Sequence, residues 1–302
     1  MVFLKGLLFT KNAVKKMQLK NASLNQIIKK TITVLPKTTL LDARQILLRH
    51  RISRLIVSLN EKPVGIITEK DVVRAIYQLG GKPIESIRVD EFMSKNLISI
   101  TEKDTIYDCA KLMLSHRISS IIVLKKDGGL AGIITKTDLA SIFLTQASTP
   151  LQISKVMTKN VITVKPADSL LYVESVLVNN RISRVIVERK KIPVGIITHR
   201  DFIPAKMPLW IKQYADPKET EEFTLGAHPH EYKSNQLSYL LTFIAADIMT
   251  PNPVVVDVKE DVSTAALLMI RHGISGLPVV RDSLLVGIIT KTDIVRAIAF
   301  DN

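Results

Sequence analysis

A single cysteine, Cys109, stands among 302 residues. An internal disulfide is therefore excluded, and so is any CxxC-type metal or redox motif. No apolar run approaches the ~20 residues that a membrane helix needs, so no membrane insertion is expected. The apolar opening Met1–Phe9 is broken by Lys5, whereas a secretory signal carries its charge first and then an unbroken apolar stretch. Export is not expected, and a cytoplasmic location is the default expectation. Aromatic residues make up 5%, few for stacking on nucleic-acid bases. No phosphate loop, no Ser/His/Asp string and no matched set of metal ligands can be found. His228, His230 and Glu231 surround a proline without a second ligand cluster and read as an exposed loop. An enzyme is the least expected class.

Acidic residues are missing from residues 1–30, which hold seven lysines (Lys5, Lys11, Lys15, Lys16, Lys20, Lys29 and Lys30). The net charge of +14 is uneven: residues 1–150 carry 24 Lys or Arg against 12 Asp or Glu, and the rest carry 18 against 16. Such a basic arm can attract nucleic acid or anionic lipid; the plainer reading is a solubilising, weakly ordered leader. A hydrophobic content of 46% excludes wholesale disorder, and the length suffices for two ordinary domains, each with its own core.

Self-similarity is the strongest signal present. Gly-Ile-Ile-Thr occurs at 65–68, 132–135, 195–198 and 287–290, with Thr-to-Thr spacings of 67, 63 and 92, and each Thr is followed three places later by Asp71, Asp138, Asp201 or Asp293. Upstream lies a second recurring string: Arg51-Ile52-Ser53-Arg54, Arg117-Ile118-Ser119-Ser120, Arg181-Ile182-Ser183-Arg184 and Gly273-Ile274-Ser275-Gly276. Two strings at near-fixed offset, four times over, define one repeated unit.

Its elements are clearest in repeat three. Val161–Val164 is a short β-branched strand ended by Pro166. Leu170, Val173, Val176 and Leu177 follow at helical spacing. Arg184–Val187 and Val194–Ile197 are two further strands joined through Lys190-Lys191, the last apolar throughout and so expected to be buried. Thr198-His199-Arg200-Asp201 opens a second helix. The order is β-α-β-β-α. Boundaries are expected as a basic arm at 1–26, repeats at 27–85, 86–145, 153–204 and 246–302, and an insertion at 205–245. The insertion holds Trp210 and Tyr214, read as packing groups, and Leu237–Ile244, which suits a short helix.

Met157-Thr158, then Val161-Ile162-Thr163-Val164-Lys165-Pro166, an amphipathic helix, Ile-Ser-x and Gly-Ile-Ile-Thr-x-x-Asp together resemble the cystathionine β-synthase (CBS) domain family. Ile248-Met249-Thr250 and Phe92-Met93-Ser94 repeat the opening, while repeat one keeps Thr31–Pro36 without a preceding Met-Thr. The resemblance covers about residues 27–299 apart from the insertion. It implies an α/β fold of four CBS repeats forming two pseudo-twofold pairs, one and two, three and four. Chains resembling the γ subunit of AMP-activated protein kinase can stack such pairs as a disc.

The same resemblance implies a regulatory ligand, AMP, ADP or ATP, held between paired repeats, with no cofactor required. It assigns ribose and phosphate contacts to Thr68/Asp71, Thr135/Asp138, Thr198/Asp201 and Thr290/Asp293. It puts Thr33 and Thr163 beside base and ribose, where the other repeats have Ser99 and Val255. Arg54 and Arg184 match positions where a guanidinium meets phosphate, which the fork geometry suits; Ser120 and Gly276 stand there in the other repeats. S-adenosylmethionine and nicotinamide nucleotides also enter such clefts in the family.

The residues alone leave a second reading open. Thr-x-x-Asp at a helix start is a capping box that satisfies free backbone N–H groups, worth only ~1 kcal/mol, and either arginine can be a surface group covering a helix end. His50, His116 and His272 precede the Ile-Ser string and suit helix C-termini. The glycines of Gly-Ile-Ile-Thr suit close strand packing. Expected partners are an adenosine-containing small molecule, an unidentified protein that reads its occupancy and a second copy of the chain in a homodimer. The competing function is DNA or RNA binding through the basic amino-terminal half. A scaffold with empty clefts is the third reading.

Overall fold

The computed structural model describes residues 24–50, 52–78, 84–147, 150–202 and 243–300. The amino-terminal arm before residue 24 and nearly all of the insertion, with Trp210, Tyr214, His228, His230, Glu231 and the Leu237–Ile244 segment up to residue 242, lie outside the described residues.

Repeat one comprises β1 (Thr33–Val34), α1 (Leu40–Arg49), β2 (Arg54–Leu59), β3 (Lys62–Thr68) and α2 (Glu69–Gln78). Repeat two opens with a single turn, α3 (Val89–Phe92), followed by β4 (Ser99–Thr101), α4 (Ile106–Ser115), β5 (Ser120–Leu124), β6 (Leu130–Thr135) and α5 (Lys136–Gln146). Repeat three has α6 (Ile153–Val156), β7 (Thr163–Val164), α7 (Leu170–Asn179), β8 (Arg184–Arg189) and β9 (Ile192–Thr198). Repeat four has α8 (Ala245–Ile248), β10 (Thr250–Pro251), β11 (Val256–Asp257), α9 (Val262–Arg271), β12 (Gly276–Arg281), β13 (Leu284–Thr290) and α10 (Lys291–Ala299).

In the first three repeats the first strand pairs parallel with the second and the second antiparallel with the third. The parallel step needs a crossover helix, and the antiparallel one only a hairpin. Local chemistry explains both. The crossover helices start on side-chain caps: Thr39, Thr105, Ser169 and Asp261 each accept a hydrogen bond from an N–H of the first turn. Their C-caps are His50, His116, Asn180 and His272. The next residue is left-handed in three of them, with φ of 53° at Arg117, 52° at Arg181 and 65° at Gly273, as helix termination commonly requires. The hairpins turn on two left-handed residues, Asn60-Glu61, Lys190-Lys191 and Asp282-Ser283, the turn whose twist matches that of the strands.

The chain divides into two compact units. The first runs to Val156 and takes in Asp261–Ser275 and the chain from Thr290, thus repeats one and two with the two helices of repeat four; the second takes Met157–Glu260 and Gly276–Ile289. Within the first unit α10 packs on α4 and α5, and α9 packs on α5.

Each unit pairs two repeats by the same exchange: the segment leading into one repeat adds antiparallel to the third strand of the other. Lys29 faces Ile133 and Ser94 faces Ile66 in the first unit. Thr158 faces Ile288 and Thr250 faces Ile196 in the second. The recurring glycine makes room for this crossing. A Cβ at Gly65, Gly195 or Gly287 would collide with Met93, Met249 or Met157, and at Gly132 with Ile28 and the Lys29 carbonyl. In repeat one, then, Ile28-Lys29 takes the place of Met-Thr.

The apolar run of the third strand is buried from two sides. Leu55, Val57 and Ile67 join Leu40, Ala43 and Leu47 in the core of repeat one. Ile56 meets Ile122 and Ile133 of repeat two, flanked by Ile66, Leu97 and Leu130. Successive strand residues face opposite ways, so a sheet covered on both faces needs no polar alternation.

Candidate functional site

All four Thr-x-x-Asp motifs stand at the end of a third strand, and in each the threonine N–H and hydroxyl donate to one carboxylate oxygen of the aspartate. The distances to Oδ2 are 2.9 and 2.7 Å at Asp71, 2.8 and 2.6 Å at Asp138, 2.5 and 2.8 Å at Asp201, and 2.8 and 2.7 Å at Asp293. This satisfies the capping reading completely for one oxygen. It leaves the other, Oδ1, as the group with which a ligand hydroxyl would bond.

The four differ at Oδ1. Arg74, one turn along α2, bonds Asp71 at 2.9 Å, and Arg296 bonds Asp293 at 2.7 Å from the same position on α10. Lys29, from the segment leading into repeat one, reaches Asp138 at 2.6 Å. Among the described residues none bonds Oδ1 of Asp201. Asp71, Asp138 and Asp293 are buried at 8%, 2% and 3% exposure, whereas Asp201 is half-buried. Removing the cation from a buried carboxylate would leave an uncompensated charge; Asp201 has no such cation on Oδ1 among the described residues.

The strand register places both arginines at the same end of the hairpin as a cap. Arg54 lies directly opposite Thr68, and Arg184 opposite Thr198. The Arg54 guanidinium bonds the Ser53 hydroxyl at 2.9 Å and the Ser119 hydroxyl of repeat two at 3.2 Å, so it joins the two Ile-Ser strings of its pair. Thr163 lies on β7 beside Ile186. Thr33 is brought elsewhere: it lines a cleft of about 460 Å³ with Leu35, Ser58, Asn60, Lys125 and Asp127. That cleft also touches Leu130, the start of β6, whereas Thr135 ends the strand. Thr33 and Asp138 therefore stand toward opposite ends of β6, with the chain from Lys29 to Thr33 running between them.

Sequence reasoning missed the cations. Lys29, Arg74 and Arg296 hold Oδ1 of three of the four aspartates, and Asp-x-x-Arg at 71/74 and 293/296 was the available signal. A second signal was the identical Thr-Lys-Thr-Asp at 135–138 and 290–293. These two helix starts meet in the first unit, where Lys136 Nζ bonds the Thr292 hydroxyl at 2.9 Å and Lys291 Nζ bonds the Thr137 hydroxyl at 3.0 Å. Burial, then the charges of Asp138 and Asp108, push the Cys109 thiol up to about 12. No group of three or more His, Cys, Asp or Glu able to hold a metal occurs among the described residues. No helix there is long and apolar enough to cross a membrane.

Comparison with known proteins gives this arrangement a family. The chain is 26% identical over 288 residues to the uncharacterised protein MJ1225 of Methanocaldococcus jannaschii, covering 90% of this chain and 96% of that one. The crystal structure of MJ1225, proposed as an archaeal homologue of γ-AMPK, superposes with a TM-score of 0.73 at 24% identity, over 91% and 99% of the two chains. A conserved protein of Pyrococcus horikoshii shares the fold with a TM-score of 0.61 at 19% identity, over 92% and 100%. The CBS domain profile matches residues 24–78, 89–145, 153–207 and 245–300. Four such matches, falling on four sheets with exchanged leading segments, make this chain a member of the CBS domain family.

Proposed function

We propose that this protein is a regulatory, non-catalytic sensor that binds an adenine nucleotide (AMP, ADP or ATP) between paired CBS repeats and passes occupancy to a protein partner. The observation that carries this reading is Asp201: its Oδ2 is held by Thr198 and its Oδ1 is unengaged among the described residues. A ribose diol donates two hydroxyl hydrogens, and such an oxygen accepts them. Arg184 opposite Thr198 adds a cation at the same strand end, suited to phosphate. The similarity to MJ1225, itself proposed as a homologue of γ-AMPK, extends to the fold of the whole chain.

A melting screen tests this. Adenine nucleotide at ~100 times its dissociation constant should stabilise the native state by ~2.7 kcal/mol, a rise of a few degrees for a chain of this size. Asp201→Ala loses a cap and melts lower without ligand, and it should also lose the ligand-induced rise. A variant that melts lower yet keeps the full rise would reduce Asp201 to a cap.

A further inference from the structure

Lys29 occupies the position that is Ser94, Thr158 or Thr250 in the other three repeats, each facing the isoleucine two residues before a Thr-x-x-Asp threonine. A hydroxyl there is short, whereas a lysine reaches the cap. The reach is held by backbone: Lys29 N–H donates to Ile133 O at 3.1 Å and Ile133 N–H donates to Lys29 O at 2.9 Å, with Gly132 admitting the close approach. The Lys29 side chain is 66% exposed while that of Asp138 is 2% exposed. Lys29 thus pairs a buried carboxylate with a side chain that is itself mostly in solvent.

We infer that Lys29 is an internal stand-in for a ligand's hydroxyls, closing the Asp138 carboxylate to ribose and restricting which of the four Thr-x-x-Asp motifs accept nucleotide. The inference rests on the nucleotide reading above, and it adds which residue selects among sites that the repeated motif makes look alike. A diol entering at Asp138 must break a charge-assisted contact at 2.6 Å and receives in exchange two neutral donors, each of which binds a carboxylate less strongly than an ammonium does. Threonine at position 29, as in repeats three and four, would leave Oδ1 of Asp138 without its cation, as Oδ1 of Asp201 is among the described residues.

The test is calorimetric titration of the full chain with AMP. Lys29→Thr should bind one more equivalent than the wild type, Lys29→Arg should leave the count unchanged, and Asp138→Ala in the Lys29→Thr background should remove the added equivalent. Melting curves of the unliganded variants check that each is folded. The nucleotide reading and this inference fail differently. Wild type and Lys29→Thr binding AMP with equal stoichiometry would overturn the role of Lys29 while keeping the sensor. Wild type silent with one equivalent gained in Lys29→Thr would uphold it. No binding by either protein overturns both. Weaker binding in Lys29→Thr would make Lys29 a phosphate ligand and overturn the inference.

Discussion

Alanine at Gly132 would put a methyl group 2.5 Å from the Lys29 carbonyl oxygen and 2.6 Å from Ile28 Cγ2. Backbone cannot swing aside as a side chain can, so the leading segment must either compress the strand or leave it. Overpacking of this kind costs about 1–3 kcal/mol. Leaving the strand gives up the two hydrogen bonds between Lys29 and Ile133, about 1 kcal/mol each, and the contact with Asp138. The two routes bracket the loss at about 1–3 kcal/mol. At Gly65 the obstructing atoms are Sδ, Cγ and Cε of Met93, an unbranched chain with three rotatable bonds that adapts readily. Alanine also restricts the unfolded chain, which returns about 0.4–1 kcal/mol. The net loss at Gly65 should stay below about 1 kcal/mol. With about 2–4 °C per kcal/mol for a unit of this size, scanning calorimetry should find Gly132→Ala lower by roughly 2–12 °C and Gly65→Ala by a smaller shift, under about 4 °C. Equal shifts would refute the exchange of leading segments as the reason for these glycines.

Three further outcomes follow from the geometry. Lys291→Met and Thr137→Val should be non-additive, with a coupling of about 1–3 kcal/mol in a double-mutant cycle, because Lys291 Nζ bonds the Thr137 hydroxyl; additivity would make the contact incidental. The Thr105 hydroxyl, followed by its backbone N–H, lowers the pKa of Asp108. A carboxyl whose folded pKa lies below its unfolded value contributes stability above the unfolded value and loses it as pH falls through the folded one. Urea midpoints taken from neutral pH into the acid range should therefore decline less steeply in Thr105→Val than in the wild type, and parallel curves would remove that role. Cys109, fully buried with its thiol pushed to about 12, should label with a thiol reagent near neutral pH only as fast as the fold opens; prompt labelling of the native protein would contradict its placement.

Much of the architecture was legible because the chain states it four times. Strand, helix and hairpin order follow from β-branched runs, caps and turn residues, and the two strings at fixed offset mark where each unit recurs. Pairing was less accessible. In repeat one, Ile28-Lys29 does the work of Met-Thr by backbone hydrogen bonds, which do not depend on the side chain, so motif matching passed over it. The site was half legible. Thr-x-x-Asp marks where the four carboxylates stand, yet a motif cannot say whether the second oxygen is free. That depends on Arg74 and Arg296 one helical turn away, which a local spacing reveals, and on Lys29, which is 109 positions from Asp138 and comes into reach only through the exchanged segment. Thr33 shows the reverse: its motif position is clear, but it lines a cleft at the hairpin tips with Asn60 and Lys125.

Titration of AMP into the wild type, Asp201→Ala and Asp71→Ala addresses the sensor reading most directly. Among the described residues Oδ1 of Asp201 is unengaged, whereas Arg74 already holds that of Asp71. The account predicts heat of binding in the wild type and in Asp71→Ala, and its loss in Asp201→Ala. Binding that survives in Asp201→Ala and disappears in Asp71→Ala, or a wild type that binds no adenine nucleotide, would contradict it.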